Sequence, residues 1–179
     1  MMKIAVYCGS AVGKNPSYKQ AAHELGTALA KQQIGIVYGG SNIGLMGILA
    51  EAALANNGQV IGVMPTNLQK REVTHNALTE IHIVENMHVR KATMVDLSDA
   101  FVALPGGCGT LDEYFEVFTW AQIGLHEKPV ILLNIDGFYD ALIQHFERMF
   151  EEGFVHESHR EYLKIASTPE EVIRIISSK

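Results

Sequence analysis

Residues Leu104–Gln122, LPGGCGTLDEYFEVFTWAQ, place three glycines in four positions, then a threonine, then two carboxylates. Glycines leading into a helix aim backbone N–H groups and a helix N-terminus at one spot, which suits an anion such as phosphate. A carboxylate at Glu113, roughly one helical turn or ~5 Å beyond, would repel that anion. Their coexistence makes sense if something lies between them. A ribose 5-phosphate fits: phosphate on the glycines, anomeric carbon near the carboxylate. Breaking an N-glycosidic bond builds positive charge on the sugar, and a fixed carboxylate stabilises that oxocarbenium-like state. The plainer alternative is that Asp112 and Glu113 only favour the helix dipole. Arg90 and Lys91, in ENMHVRKATM (Glu85–Met94), supply counter-charge. Arginine grips phosphate or sugar oxygens bidentately and stays charged. Glu72, in the polar stretch QKREVTHNAL (Gln69–Leu78), is a candidate contact to a base.

Two more glycine-bearing turns follow apolar runs: CGSAVGKNP and YGGSNIGLMG. They offer Gly9, Ser10, Gly39, Gly40 and Gly44 as phosphate-loop candidates. No familiar nucleotide fingerprint fits. GSAVGKN (Gly9–Asn15) is one residue short of a P-loop and has Asn where Ser or Thr would take magnesium. GCGTLD (Gly107–Asp112) has Asp at the third glycine position of a dinucleotide loop. The second apolar run ends in YGG, without the acid that holds an adenosine ribose. Neither ATP hydrolysis nor nicotinamide chemistry is supported.

The elements that position these residues alternate along the chain. Apolar runs at Lys3–Gly9, Ile34–Gly40, 59–65, Glu80–Asn86, 100–107 and 128–136 read as strands. Helical patterns cover Ser17–Gln32, Gly44–Gly58, His88–Asp99, a stretch from about Thr110, Gly137–Gly153 and Thr168–Ser178, the last with Thr168 as N-cap and Pro169 in its first turn. Near-continuous apolar strands joined by helices predict a parallel sheet covered on both faces: a single-domain, doubly wound, Rossmann-like α/β fold over residues 1–179. The glycine turns then share the carboxyl edge of the sheet, where such folds bind ligands.

Composition narrows the function classes. The 179 residues are 47% hydrophobic and 19% charged, with formal net charge −6. No run of Lys or Arg exceeds two, which argues against nucleic acid or anionic membrane as the main partner. No apolar stretch approaches the roughly 20 residues of a membrane span. The N-terminus reads as a first strand rather than a secretory signal, and two cysteines are too few for a disulfide framework. A cytoplasmic setting is expected. The eight histidines form no metal signature; His156 and His159 lack a partner set. Cys108 lacks a neighbouring base in sequence and reads as filler. Phe115, Phe118, Trp120 and Ile123 form an apolar helix face, destined for the core or for a dimer seam.

The sequence resembles the Lonely Guy (LOG) family. PGGCGTLDE (Pro105–Glu113) matches its PGGxGTxxE motif, and MHVRKATM (Met87–Met94) its Arg-Lys motif. VYGGSNIGLMG, REVTH and TWAQIGLHEKPVILLN extend the resemblance over nearly the whole chain. Cys108 occupies the variable motif position, and Asp112 stands where many relatives have Glu. The resemblance implies a cytokinin riboside 5′-monophosphate phosphoribohydrolase that acts on AMP or N6-modified AMP such as isopentenyl-AMP, without cofactor or metal. It implies Arg90 and Glu113 as the catalytic pair. Substrate binding falls to Glu72, Lys91, Gly106, Gly107, Cys108, Gly109, Thr110, Leu111, Asp112 and Thr119. It further implies a homodimer. Family members are often labelled lysine decarboxylases, although no lysine here sits in a convincing setting for pyridoxal chemistry. A non-catalytic carrier or sensor of a phosphorylated ligand, like the molybdenum-cofactor carriers, is the competing reading.

Overall fold

The apolar runs become strands of one sheet in the computed structural model, which describes residues 1–69 and 75–178. In chain order the elements are β1 (Lys3–Tyr7), α1 (Pro16–Lys31), β2 (Gly35–Tyr38), α2 (Gly44–Ala55), β3 (Val60–Pro65), β4 (Glu80–Val84) and α3 (Met87–Asp96). Then come β5 (Ala100–Ala103), α4 (Cys108–Gln122), β6 (Val130–Leu133), α5 (Asp140–Glu151), β7 (Leu163–Ala166) and α6 (Pro169–Ser177). The sheet order is β4-β3-β2-β1-β5-β6-β7, and every neighbouring pair is parallel. This is the expected doubly wound α/β architecture. The chain builds outward from β1 to β4, then returns to β1's other side for β5, so the order reverses between β1 and β5. A crevice opens at such a reversal, beyond the carboxyl ends of the strands.

Side-chain alternation divides the core into two layers. Ile4, Val6, Ile36, Tyr38, Val102 and Ile131 face α1, α2 and α6. Ala5, Tyr7, Val37, Phe101, Val130 and Leu132 face α3, α4 and α5. Strands β2, β3, β5 and β6 are buried along their whole length, as a twice-covered parallel sheet requires. The edges depart from that expectation: Ile81 and Ile83 on β4 are 40% and 45% exposed.

Helix starts follow local chemistry. Asn15 caps α1 by accepting from Ser17 N–H at 3.0 Å, with Pro16 in the first turn. Thr168 caps α6 by accepting from Glu171 N–H, as its sequence predicts. One strand escaped the sequence pattern. β7 is four residues long and follows a short 3-10 turn, Glu157–Tyr162, in a charged stretch. Lys164 and Ile165 on this edge strand are exposed, so it carries no apolar run. Phe118 of α4 is buried and Phe115 and Trp120 pack beside it, whereas Ile123 is 65% exposed. No helix among the described residues is long and apolar enough to cross a membrane.

α1 and α2 pack closely at Gly26. A Cβ there would collide with the Leu49 carbonyl oxygen and sit 3.2 Å from Ala52 Cβ. Gly to Ala in a helix ordinarily stabilises by about 1 kcal/mol. Here overpacking reverses the sign: Gly26→Ala is expected to lower stability by about 1–3 kcal/mol, read as a lower urea midpoint with unchanged slope.

Candidate active site

Three loops meet at the crevice and are tied by backbone hydrogen bonds. Gly9 N–H donates to Pro105 C=O (3.1 Å), joining the loops after β1 and β5. Leu45 N–H donates to Gly9 C=O (3.0 Å), joining α2 to the same loop. Gly44 has φ 62°, and a Cβ there would run into the Ser10 backbone, so glycine lets α2 start against this loop. Gly40 has φ 79° and packs near Gly62 and Met64. Of the phosphate-loop candidates, Gly9, Ser10 and Gly39 line the cleft; Gly40 and Gly44 shape the loops behind it.

α4 begins two residues earlier than its pattern suggests, with Gly107 as N-cap and Cys108 as first residue. Leu111 N–H to Gly107 C=O (3.2 Å) is the first bond of its ladder. The N–H groups of Gly107, Cys108, Gly109 and Thr110 precede it and have no intrahelical acceptor. A Cβ at Gly107 or Gly109 would meet nothing within 4 Å, and neither residue has positive φ. The fold itself does not demand glycine at these two positions; open space beside the helix N-terminus does, if a ligand is to reach the amides. Gly106 differs: a Cβ there would strike Thr110, so it packs rather than lines.

The earlier helix start puts Glu113 in the second turn, roughly 9 Å from the N-cap at 1.5 Å per residue. Arg90 reaches the same cleft from α3, which Asn86 caps by accepting from His88 and Val89 N–H. The Arg90 and Glu113 side chains are only 10% and 13% exposed, and Arg90 Nη2 stands 3.9 Å from Glu113 Oε1. That is a charge contact, too long for a hydrogen bond. Arg90 Nη1 reaches Met87 Sδ at 3.6 Å, and its Nε has no partner among the described residues. Gly39 makes room for the guanidinium, since a Cβ would collide with Nη2. The donors of a buried arginine are thus left largely unused.

Burial dominates the electrostatics. At an effective dielectric of about 20 the Arg90–Glu113 attraction is on the order of 4 kcal/mol. Desolvation still outweighs it and pushes the Glu113 carboxyl up to about 7; Arg90 and Lys91 pull down, while Asp112 and Glu116 push up. Burial, with Glu113 adding to it, also raises the Tyr7 hydroxyl and the Cys8 thiol at the end of β1.

The remaining candidates separate. Thr110 and Asp112 line the cleft with Cys108, which is exposed and free, as buried Cys8 is also free. Lys91 is absent from the wall; its Nζ lies 3.1 Å from both Asp112 and Glu116. Leu111 packs toward the core, and Thr119 is exposed nearly two turns past Glu113, off the cleft wall. Glu72 lies outside the described residues. His156 meets Ser158, and His159 meets Gln122. Sequence reasoning missed Tyr7, Cys8, Met46, Met87 and Met94 as wall residues. Met87, Arg90 and Met94 follow i, i+3, i+7 spacing, which is a legible helix stripe.

The cleft measures about 320 Å³, at the low end of small-ligand sites, roughly 300–1,000 Å³. A larger groove of about 570 Å³, lined by residues such as Lys128 and Tyr162, lies at the opposite end of the strands. Size alone does not select the site; convergent glycine amides and a buried ion pair do.

The family described as "Possible lysine decarboxylase" matches residues 46–176. Cytokinin riboside 5'-monophosphate phosphoribohydrolase LOG1 of Arabidopsis thaliana is 47% identical over 172 residues, 96% of this chain and 81% of the relative. The LOG protein of Oryza sativa subsp. japonica is 49% identical over 171 residues, 96% of this chain and 71% of the relative. The chain belongs to the LOG family. Among solved structures, the molybdenum cofactor binding protein of Rippkaea orientalis superposes with TM-score 0.76 at 25% identity, covering 99% of this chain and 96% of that one.

A LOG-family cleft with a raised carboxyl has a stability signature. Glu113 is neutral in both folded and unfolded chains below about pH 4.5 and ionised in both above about 7, where the folded state bears the desolvation cost. Glu113→Gln, which mimics the neutral acid, is therefore expected to stabilise the protein at pH 8 by roughly 1–3 kcal/mol and to leave it unchanged at pH 4.5. Thermal melts of both proteins at the two pH values check this.

Proposed function

We propose that the protein hydrolyses the N-glycosidic bond of adenine-type nucleoside 5′-monophosphates, AMP and N6-modified AMP such as isopentenyl-AMP, giving free base and ribose 5-phosphate. The observation that carries this reading is the buried Arg90–Glu113 pair facing the cleft at 3.9 Å, with Glu113 in the second turn of α4 from the Gly107 N-cap. The relatives named cytokinin riboside 5'-monophosphate phosphoribohydrolase support it.

The 5′-phosphate takes the amides of Gly107, Cys108, Gly109 and Thr110, with Gly9, Ser10 and Gly39 closing the other side. The ribose then spans the gap toward Glu113. As the bond from C1′ to the base nitrogen breaks, its electron pair goes to the base and C1′ becomes positive. The Glu113 carboxylate stabilises that charge and orients the water whose oxygen bonds to C1′. The departing base takes a proton. Arg90 holds the substrate through its unused N–H groups and lowers the Glu113 carboxyl against its burial. The methionine wall of Met46, Met87 and Met94 is adaptable apolar surface.

Residues 1–179 work as one nucleotide-binding domain in this reading, in a reducing cytoplasm where Cys8 and Cys108 stay free. A homodimer fits the 65% exposure of Ile123 and Leu125 at the end of α4. Decarboxylation finds less support: among the described residues no lysine lines the cleft, and Lys91 is engaged by two carboxylates. The likeness to a molybdenum cofactor binding protein keeps a non-catalytic carrier as the second reading. It predicts saturable nucleotide binding without base release.

Incubation with AMP and isopentenyl-AMP, followed by chromatography for free base, distinguishes the two. Turnover is expected, with kcat/KM falling as pH drops below about 7, because the ionised Glu113 is the working form. Glu113→Gln and Arg90→Ala are each expected to lose roughly 100-fold or more in rate. Undiminished turnover in Glu113→Gln removes this residue from the mechanism.

A further inference from the structure

We propose that Lys91 is a positioning residue, whose ammonium bridges Asp112 and Glu116 and so fixes the spacing of Arg90 and Glu113, rather than a substrate contact. The inference rests on the hydrolase reading above and goes beyond it.

The two functional residues sit on different helices. Backbone to backbone, α3 and α4 scarcely approach one another. A long side chain has to span the space between them, and Lys91 does so. Its Nζ lies 3.1 Å from Asp112 Oδ2 and 3.1 Å from Glu116 Oε2. Lys91 directly follows Arg90. Asp112 directly precedes Glu113, and Glu116 is one turn beyond, so the two acids form an i, i+4 pair flanking the catalytic carboxylate. Each arm of the bridge is therefore one to three residues from a member of the reacting pair. Exposed ion pairs contribute little. The Glu116 arm differs, because the Lys91 side chain is only 13% exposed and Glu116 only 24%, whereas Asp112, at 63%, makes the weaker arm. Two of the ammonium's three donors are taken. Lys91 is also not among the residues that line the cleft. A phosphate-gripping lysine would need its charge inside that cleft.

The bridge acts electrostatically as well. Glu113 is faced by Arg90 and Lys91 from α3, by Asp112 and Glu116 on its own helix, and by Tyr7 and Cys8 from β1. Lys91 lowers the carboxyl while its two partners raise it. Lys91 is itself pulled down by burial, but its hydrogen bonds to Asp112 and Glu116 prevail and hold it above its ordinary value. Removing the lysine would leave two uncompensated carboxylates beside Glu113.

Steady-state kinetics on AMP across pH tests the idea. Wild-type enzyme must first release adenine; if it does not, the hydrolase reading fails and not the bridge. With wild-type turnover established, Lys91→Met is expected to lower kcat about 10-fold while KM stays within about threefold. The acid limb of kcat/KM should move upward by about half a unit, and Lys91→Arg, which can span the same two acids, should restore both. Should Lys91→Met not fold, Glu116→Gln removes the arm that lies off the cleft wall. It should lower kcat about threefold at constant KM and move the acid limb downward. A KM raised about 10-fold with kcat and acid limb unmoved would make Lys91 a substrate contact and overturn the proposal. Unchanged parameters in all the variants would overturn it too.

Discussion

A carboxylate buried beside a guanidinium, at the point where the strand order reverses, is the constraint on which this molecule depends. Neither group is in a comfortable place. Glu113 is withdrawn from water far enough for its carboxyl to rise to about 7 despite a cation 3.9 Å away. Arg90 has an unpartnered buried Nε and a weak sulfur acceptor. A structural ion pair would close to hydrogen-bond distance and satisfy both sides. This pair stays apart, each member showing its functional atoms to a cleft. Desolvation that would be wasteful in a scaffold is useful where positive charge must develop on a substrate, because charges act more strongly in a low dielectric.

Holding such a pair requires a stiff frame. The sheet supplies it: β1, at the reversal, is bracketed by β2 and β5 and buried on both faces. Its outgoing loop is pinned on one side to Pro105 and on the other to α2. The end of β5 is pinned again from below, where the buried Tyr139 hydroxyl donates to Leu104 C=O at 2.6 Å. The glycines divide the remaining work. Gly39, Gly44 and Gly106 admit neighbouring protein atoms where a Cβ would collide. Gly107 and Gly109 admit nothing from the protein and face open space. The same residue type packs the frame at three positions and leaves a ligand surface bare at two.

Much of this was legible in the sequence because it is local. Apolar runs of buried parallel strands, the helix cap at Thr168, and the glycine entry to α4 each declare themselves within a few residues. The carboxyl-edge placement of the three loops followed from topology. What stayed hidden is what depends on the meeting of distant elements. β7 is too short and too exposed to show a pattern. The first residue of α4 was placed two positions late, because glycine and cysteine are poor helix signals, although an N-terminal turn backed by Thr110 tolerates them. Lys91 reads in the sequence as counter-charge beside Arg90. Adjacent helix positions point about 100° apart, and only the folded chain shows that Arg90 reaches the cleft while Lys91 meets Asp112 and Glu116.

A phosphate on the α4 N-terminus, as proposed, would have to be reconciled energetically with the Glu113 carboxylate. At a separation of about 9 Å, the axial rise from the N-cap to Glu113, and an effective dielectric of about 20, the two would repel by about 2 kcal/mol per unit of phosphate charge. Since one pKa unit corresponds to about 1.4 kcal/mol, a bound dianion would drive Glu113 upward by more than a unit and leave it protonated at neutral pH. The dipole of α4 offsets part of the phosphate's field at its source. Arg90 acts at the destination, since the value of about 7 already contains its pull and the carboxyl would stand higher still without the guanidinium. In the proposed reaction, substrate binding and ionisation of Glu113 oppose one another, and the arginine lessens that conflict. That is a reason for the cation to stand beside the acid rather than beside the phosphate, where a reading of charge complementarity alone would place it.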